Sequence, residues 1–364
     1  MELAAFSIIS DPRNDKNQVY SLDSLLLIIF ASVLSGYDSV DEMCEFARLK
    51  LDWFNKFVKL ERAPCPETLR YLLCSIKPQS LIDVFDEFAK TQKYCSDGDC
   101  IAIDGKTMKG TATSSTEALH VISAWSSQYG ITLAALESKG KKNEIKTIPE
   151  VIDLLDARKA VITTDAMGCQ KAIASKIIES KNDYVLQIKG NQRRLFNEIK
   201  AFHHLQCREG FDNVSIETYE EIDKGHGRLE QRKYTHFALT DWVDNKAEWR
   251  GLKSVILVER KRTIGVSIQE QSSWYISSLQ VNARKAAKAI RSHWQVENPL
   301  HWWLDVVYGD DHSTLHSANG PLNLTMIKRY CMNLLTKDST IKRKKHRVMA
   351  SAVDDTFREK LLFG

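Results

Sequence analysis

The sequence predicts an α/β protein with a mixed sheet and a β-rich insertion, preceded by an all-α N-terminal domain. Three observations predict this class. Apolar residues recur at helical spacing through residues 1–95, short apolar strands alternate with helices through 96–205, and alternating strand patterns dominate 206–282. Helical character then returns and continues through 283–364. We therefore expect four consecutive parts with these boundaries.

The N-terminal part predicts several short helices, over residues 21–34, 39–47, 53–60, from 66 onward, and 80–90. The helix that begins at Pro66 carries Thr68, Arg70 and Tyr71, which is compatible with a helix-turn-helix DNA reader. A helical packing or dimerisation domain is an equal alternative. The net charge of residues 1–95 is −3, from 11 basic and 14 acidic residues, and it disfavours a strong independent grip on DNA.

The second part begins after the turn-forming cluster 96–99 and contains three strands, helix, strand, helix, strand, helix. We expect strands at 100–103, 118–125, 131–137, 159–164 and 184–188, and helices at 145–155, 169–180 and 192–204. The third part predicts strands at 214–219, 228–239, 254–260 and 273–279, and a helix begins near Ala283.

Composition excludes several classes of protein. Hydrophobic residues make up 43% and charged residues 27% of the 364 residues, which excludes a disordered tail, a collagen-like rod and a small disulfide scaffold. The longest apolar run, 25–31, is shorter than the roughly 20 residues that cross a bilayer. No secretory signal is evident, and the eight cysteines form no CxxC pair, which indicates reduced, structural thiols. We expect a soluble cytoplasmic protein that does not bind membranes.

The positive charge lies in the later part of the chain. The formal net charge is +4, so residues after 95 carry +7, and residues 224–262 hold 10 basic against 5 acidic side chains. A polyanionic partner is therefore expected to meet this later part.

Three carboxylates form the candidate catalytic set. Asp104 and Asp165 each follow a predicted buried strand, at the edge where α/β sheets collect ligands. Glu297 falls inside the apolar stripe of the helix from Ala283, flanked four residues away on each side by His293 and His301. A carboxylate on a buried face is costly unless it is paired or binds a metal. Three such groups suit a pair of Mg²⁺ ions and the cutting or joining of nucleic-acid strands.

Alternatives stay open for this set. Glu297 can form a salt bridge with Arg291 or a histidine, and Asp305, Asp310 or Asp311 can replace it as the third ligand. Pro299 should kink or break the helix. A zinc hydrolase using His293, Glu297 and His301 is a weaker alternative, because the two histidines lack the spacing of zinc peptidases.

Six segments carry a resemblance to a known family. They read IAIDGKTMKG (101–110), VITTDAMGCQ (161–170), LQIKGNQ (186–192), HGRLEQR (226–232), WYISSL (274–279) and RSHWQVENPLHWWLDVVYGDD (291–311). The chain resembles the DDE-type insertion-sequence transposases, in the branch that includes the H-repeat-associated proteins of Rhs elements. The resemblance runs through nearly the whole chain.

This resemblance implies a ribonuclease-H-like catalytic domain, interrupted by the insertion, in which Asp104, Asp165 and Glu297 bind Mg²⁺, with Mn²⁺ able to substitute. It implies an enzyme that cuts double-stranded DNA at element ends and joins them to target DNA, acting as a homodimer or larger complex and associating with the bacterial nucleoid when bound. A catalytically silent or domesticated DNA-binding descendant is the alternative.

Candidate DNA contacts complete the prediction. Residues 189–192 end a strand and open a helix, which is either a phosphate site or a simple turn. Residues 226–228 lie in the basic insertion, as a DNA contact or a solvated loop. The candidate contacts are Lys106, Lys189, Asn191, Gln192, Arg193, His226, Arg228, Arg291, His293, Asn298 and His301.

Overall fold

The computed structural model describes residues 7–14, 18–91, 94–140, 143–225, 227–313 and 315–364. At residues 89–91, 295 and 297–299 the description covers the backbone only. No helix in these ranges is both long enough and apolar enough to cross a membrane.

The N-terminal region is helical, as predicted. It contains α1 (Leu22–Leu34), α2 (Val40–Leu49), α3 (Leu51–Phe54), α4 (Pro66–Ser75) and α5 (Pro78–Thr91). The polar residues that precede the first two helices cap them, since Ser21 accepts the N–H of Ser24, and Ser39 and Glu42 form a capping box.

The predicted helix over 53–60 is wrong, because α3 ends at Phe54. The side chain of Asn55 bonds the backbone on both sides, accepting from the N–H of Leu60 at 2.9 Å and donating to the carbonyl of Leu51 at 3.1 Å. An asparagine side chain that satisfies backbone groups in this way competes with helical hydrogen bonds and ends the helix.

One nine-stranded mixed sheet forms the centre of the molecule. Its order is β3-β2-β1-β4-β5-β9-β8-β7-β6, in which β1, β4 and β5 are parallel neighbours and every other pair is antiparallel. The strands are β1 (Cys100–Met108), β2 (Leu119–Ser126), β3 (Ile131–Ser138), β4 (Val161–Thr164), β5 (Asp183–Ile188), β6 (Ile216–Gly225), β7 (Arg228–Ala238), β8 (Ser254–Ile264) and β9 (Ser267–Ser277). The β-rich segment therefore continues the same sheet, because β9 pairs with β5.

Helices cover both faces of the sheet. The remaining helices are α6 (Glu144–Asp153), α7 (Lys171–Glu179), α8 (Arg193–Glu209), α9 (Ala283–Gln295), α10 (Trp303–Val306), α11 (Gly320–Lys337), α12 (Lys344–Val353) and α13 (Asp355–Phe363). Helix α9 lies on one face, where Cys100, Val161 and Val185 pack with its Ala286 and Ile290. Helices α5, α6 and α11 contact β2 or β3.

The C-terminal helices pack back on the N-terminal helices. Phe30 of α1 meets Tyr330 of α11 edge to face, with ring centroids 5.6 Å apart. Lys50 forms an ion pair with Asp355 at 2.8 Å, and Trp53 donates to Glu359 at 2.9 Å. The first helices and the last ones thus share one core beside the sheet.

Candidate active site

Asp104 and Asp165 lie side by side on neighbouring parallel strands. The last residue pair between β1 and β4 is Ile103 with Thr164, so the next residue on each strand is an aspartate. Asp104 is four residues beyond Cys100, and Asp165 is four beyond Val161, both of which pack under α9. Because side chains alternate along a strand, the two carboxylates follow the sheet face that α9 covers. The sequence-based pairing of these residues at one sheet edge is thus present.

Strand β1 does not end before Asp104, as the sequence predicted, but continues to Met108. Only its pairing with β4 stops at Ile103. Pairing with β2 continues past this point, with Asp104 opposite Ser123 and Met108 opposite Leu119. Asp104 therefore has a strand neighbour on one side and an open edge on the other.

The carboxylate of Asp165 is oriented by its own loop. Its Oδ1 accepts the backbone N–H groups of Met167 at 2.9 Å and Gly168 at 3.1 Å. Gly168 must lack a side chain here, because a Cβ would lie 2.6 Å from Cβ of Thr164. The loop is fixed from outside, since Asn191 donates to the carbonyl of Ala166 at 2.7 Å.

The predicted DNA contacts at the end of β5 divide into two groups. Gln192 donates to the carbonyl of Cys169 at 3.0 Å and, like Asn191, holds the loop that follows Asp165. The sequence predicts the amides of Asn191 and Gln192 as phosphate contacts. In the structure they donate instead to backbone carbonyls of the neighbouring loop between β4 and α7. Lys189 and Arg193 are exposed beside them.

Two histidines contact the strands that carry the aspartates. His293 Nδ1 lies 3.2 Å from Thr163 Oγ1, and His301 Nδ1 lies 3.8 Å from Asp104 Oδ2. Burial lowers the pKa of His293 to about 4, although the charge of Asp165 acts in the opposite direction. Burial also lowers the pKa of His301 to about 3, with the nearby charges of Arg329 and Lys106 adding to the effect. Both imidazoles are therefore neutral at pH 7.

Residue 297 lies between these two contacts along the chain. Helix α9 ends at Gln295, and a π-helical turn, Glu297–Trp302, follows it. Pro299 has no N–H to continue an α-helix, which agrees with the predicted break. The backbone that joins His293 to His301 spans the ends of β4 and β1. The side chains of Glu297 and Asn298 lie outside the described residues.

Lys106 is buried and paired with acids, although the sequence predicts it as a DNA contact. Its ammonium forms an ion pair with Asp305 and lies 3.8 Å from Asp311. The turns after α10 bring these acids over β1, which nothing local in the sequence indicates. Asp305 and Asp311 are therefore paired with lysines, Lys106 of β1 and Lys109 just after it.

A second buried ion-pair network adjoins the site and was not among the sequence-based predictions. Lys328 Nζ lies 3.2 Å from Asp310 and 3.1 Å from Asp38, and Arg329 donates to Ser123 Oγ at 3.1 Å. Ser123 pairs with Asp104 across β1 and β2. Two adjacent cations within the apolar stretch 322–335 are the sequence signal that marks this network.

A third buried polar network lies behind Asp104, on the opposite face of β1. Thr107 Oγ1 lies 2.7 Å from His120 Nδ1, and His120 Nε2 lies 2.6 Å from Glu144 Oε1. The network touches Gly105, where a Cβ would lie 2.6 Å from His120 Nε2 and 2.8 Å from Glu144 Oε1. The residue after Asp104 is thus packed against the buried contact between His120 and Glu144.

The remaining predicted contacts lie on the β-rich segment and α9. Arg291 forms ion pairs with Glu221 at 3.3 Å and Asp223 at 3.1 Å, so its guanidinium fastens α9 to β6. The sequence predicts Arg291 as a DNA contact, because no local pattern indicates that β6 lies beside α9. Arg228 is exposed at the start of β7, and His226 lies outside the described residues.

Asp104 and Asp165 are the proposed metal ligands whose side chains the structure describes. No group of three or more His, Cys, Asp or Glu side chains converges on a common point in the part of the chain that the structure describes, which does not include the side chain of Glu297. The two adjacent aspartates supply oxygen ligands of the kind that Mg²⁺ prefers. Their oxygen chemistry fits a divalent cation at this edge.

Comparison with known proteins identifies the family. The family described as "Transposase DDE domain" matches residues 96–334, and the family described as "DDE_Tnp_1-associated" matches residues 3–89. The chain is 35% identical to "Putative transposase YncI" of Escherichia coli O157:H7, over 94% of this chain and 90% of the relative. It is 34% identical to "H repeat-associated putative transposase YhhI" of Escherichia coli strain K12, over 96% and 94% of the two chains.

A cryo-EM structure of a piggyBac transposase synaptic complex with hairpin DNA aligns over 97% of this chain and 76% of that chain, with 11% identity and a TM-score of 0.41. That score does not establish a common fold. The family match and the relatives, by contrast, cover most of the sequence. The chain belongs to the DDE transposase family.

Proposed function

We propose that this chain is a DNA transposase that cuts a strand at the end of a mobile element and joins the freed 3′-OH to target DNA. The observation that carries the proposal is the placement of Asp104 and Asp165 at the same level of adjacent strands, on the face where α9 leads into the turn that contains Glu297. Membership of the DDE transposase family supports it.

Asp104, Asp165 and Glu297 would hold divalent cations, Mg²⁺ or Mn²⁺. When bound, two such ions can activate an attacking oxygen and stabilise the leaving oxygen of a phosphodiester. The loop hydrogen bonds to Asp165 Oδ1 orient that carboxylate, and the neutral His301 faces Asp104 without cancelling its charge.

The choice of Glu297 over the other nearby acids rests on their partners. Asp305 and Asp311 lie against Lys106, and Asp310 lies against Lys328 and Arg329. An acid that turned away from these buried cations toward a metal would leave them with less compensating negative charge, which is costly. Glu297 is therefore favoured as the third ligand.

The finer architecture belongs to the same proposal. We infer that the catalytic domain is ribonuclease-H-like, since an antiparallel meander, β1 to β3, is followed by parallel strands β4 and β5 with the acids at one edge. Residues 1–95 would bind element ends or dimerise, and 206–282 and 283–364 would supply the insertion and the third acid. Double-stranded DNA and a second copy of the chain are the proposed partners.

Exposure divides the proposed DNA contacts. Lys189, Arg193 and Arg228 are exposed and are the first candidates. Asn191 and Gln192 would act indirectly, by holding the loop after Asp165.

The test uses purified full-length protein and labelled duplex from the DNA that flanks its coding region. With Mg²⁺ or Mn²⁺, the wild type is expected to nick the duplex and join it to target DNA. Asp104→Asn, Asp165→Asn and Glu297→Gln should lose both reactions while retaining DNA binding. Asp241→Asn is the matched control, because the Asp241 side chain is fully exposed.

Two results would contradict the proposal. Retained cleavage in all three acid variants would place the chemistry elsewhere. Sequence-specific binding by the wild type, with no cleavage under any metal condition, would instead indicate a silent DNA-binding descendant.

A further inference from the structure

The outward side of helix α12 combines basic and apolar side chains. Lys345, His346, Met349 and Val353 are exposed and fall within about 100° of one another around the helix axis. Met349 and Val353 have 63% and 71% of their surface exposed, and their spacing of four residues makes them neighbours on the helix. We call these four residues the α12 face. Adjoining exposed apolar side chains with a polar border are typical of an interaction surface.

The opposite side of α12 is fixed in the core of the molecule. Arg347 donates to the carbonyls of Leu335 and Ile341, both at 2.6 Å. The hydroxyl of Ser35, just after α1, donates to the carbonyl of Ser351 at 3.1 Å. The α12 face therefore cannot turn toward another part of its own chain without breaking these buried contacts.

The beginning of α12 carries unneutralised positive charge. Residues 341–347 contain five lysines and arginines and no acid. Lys342, Arg343 and Lys345 are exposed, and none of the three forms an ion pair in the part of the chain that the structure describes. Of the acids before and after α12, Asp338 lies 3.0 Å from Lys360, and Asp354 accepts the N–H of Phe357 as the cap of α13. An anionic partner is therefore favoured at this end of the α12 face.

A groove between α5, β3 and the turn after α6 has the complementary character. Its wall is partly apolar and includes Ile82 and Leu133. Four aspartates also line it: Asp83, Asp86, Asp153 and Asp156. No lysine, arginine or histidine is among the described residues of its lining. We call it the acidic groove.

Two carboxylates of the acidic groove are available to a cationic partner. Asp153 forms an ion pair with Lys176, so its charge is already compensated. Asp83 and Asp156 are exposed, and neither forms an ion pair among the residues that the structure describes. Asp83 accepts only from the neutral amide of Gln79, at 2.9 Å. The groove thus offers negative charge beside an apolar wall.

We propose that the α12 face of one copy of this chain docks in the acidic groove of a second copy. Met349 and Val353 would pack on the apolar wall, and Lys345 would meet Asp83 and Asp156. The inference rests on the proposed function, which expects a second copy, and it names the surfaces that join the two. It assigns α5 to dimerisation rather than DNA binding, in agreement with the net charge of −3 over residues 1–95.

Two observations favour a second copy over DNA at the α12 face. DNA phosphates would pair with the lysines but leave Met349 and Val353 in water, whereas the acidic groove also offers Ile82 and Leu133. The two surfaces have opposite charge and lie on the same chain, so every copy carries both. Complementary charge across an interface speeds association and fixes the register of the contact.

The test measures self-association of the full chain without DNA or metal, by analytical ultracentrifugation over a range of concentrations. The wild type is expected to form dimers or larger species, more weakly as the salt concentration rises. Lys345→Glu alone, and Asp83→Lys combined with Asp156→Lys, should each weaken self-association by about 10-fold or more, because each change places like charges opposite one another. Met349→Ser should weaken it as well, because it removes an apolar contact.

A mixture of the two charge-reversed proteins tests the contact directly. In the mixture, Lys345→Glu of one protein meets Asp83→Lys and Asp156→Lys of the other, while the unaltered Lys345 of the second meets the unaltered aspartates of the first. The mixture should therefore associate more tightly than either protein alone. A substitution that merely unfolds the chain cannot be rescued in this way.

Matched controls alter side chains outside both surfaces. Val19→Ser removes a valine that is 70% exposed, against 71% for Val353. Asp212→Lys and Lys253→Glu reverse the charge of exposed side chains elsewhere on the molecule. None of the three should change self-association, whereas Val353→Ser should weaken it.

Four outcomes decide the inference. A wild type that stays monomeric at every concentration overturns it, and so does a mixture that associates no better than its two components. Reduced DNA affinity in Lys345→Glu, with unchanged self-association, also overturns it and assigns the α12 face to DNA. Recovery in the mixture by a protein that never cuts DNA would support the contact and contradict the proposed function, so the two failures are distinguishable.

Discussion

Replacing Gly105 with alanine is expected to destabilise the protein by about 1 to 3 kcal/mol. A Cβ at this position would lie 2.6 Å from His120 Nε2 and 2.8 Å from Glu144 Oε1. Neither group can swing into solvent, because their side chains are only 2% and 7% exposed. The backbone of β1 must shift, or the contact between His120 and Glu144 must open. Overpacking a core costs about 1 to 3 kcal/mol, and leaving a buried polar group without its partner also costs about 1 to 3 kcal/mol.

The assay is urea unfolding of the full chain, followed by tryptophan fluorescence. Gly190→Ala is the matched control, because no atom lies within 4 Å of the Cβ position and the backbone there is not left-handed. It is expected to be neutral or to stabilise the protein by up to about 1 kcal/mol. Combining Gly105→Ala with His120→Ala removes one of the two close contacts, so the alanine at 105 should cost less in that background.

A free energy of unfolding for Gly105→Ala equal to that of Gly190→Ala would contradict this expectation. An equal cost of Gly105→Ala with and without His120 would contradict it as well. Either result would show that the polar network does not fix the position of β1 behind Asp104.

Three other perturbations have expected outcomes. Asp310→Asn leaves the buried ammonium of Lys328 short of a charge and should destabilise the protein by about 3 to 5 kcal/mol in urea unfolding. Burial acts to raise the pKa of Asp338, but the hydrogen bonds it accepts outweigh burial and leave it below its usual value. Its contribution to stability is therefore present above about pH 4 and lost as the pH falls through the lower folded value, so Asp338→Asn should cost more at pH 7 than at pH 2.5. Iodoacetamide at pH 8, followed by peptide mapping, should modify Cys65 well before Cys44. A hydrogen bond with Thr68 lowers the pKa of Cys65, whereas burial raises the pKa of Cys44 to about 11.

Each of these outcomes has a clear contrary. A loss in Asp310→Asn no larger than that of the exposed Asp241→Asn would mean that the buried network contributes little. Equal losses at the two pH values would mean that Asp338 does not titrate differently on unfolding. Rapid modification of Cys44 would mean that α2 opens on the timescale of the labelling.

Much of the fold could be predicted because local patterns determine it. Caps such as Ser39 and the proline at 66 start helices, and short apolar runs before Asp104 and Asp165 mark strands at the sheet centre. The same runs place both acids at one edge, so the position of the candidate site follows from sequence alone.

The rest depends on partners that are distant along the chain. Strand β1 continues through Asp104 and Gly105, which are poor strand residues, because β2 supplies hydrogen bonds there. The second half of β6, residues 221–225, is acidic and mostly exposed. It forms a strand because it pairs with β7. The local sequence predicts Lys106 to be a free cation, because its partner Asp305 lies nearly 200 residues later in the chain. No local pattern encodes these contacts.

The pairing of β5 with β9 has a consequence for synthesis of the chain. Strand β5 is complete at Ile188, but the strand that covers its edge begins to be available only when Ser277 has been made. At 5 to 20 residues per second the ribosome takes roughly 5 to 18 seconds to add the intervening segment of about 90 residues. During this interval the growing sheet presents an apolar, unpaired edge, which invites pairing with other chains. The segment that carries Glu297 emerges later still, so a nascent chain would carry both aspartates before it has the third acid of the proposed site.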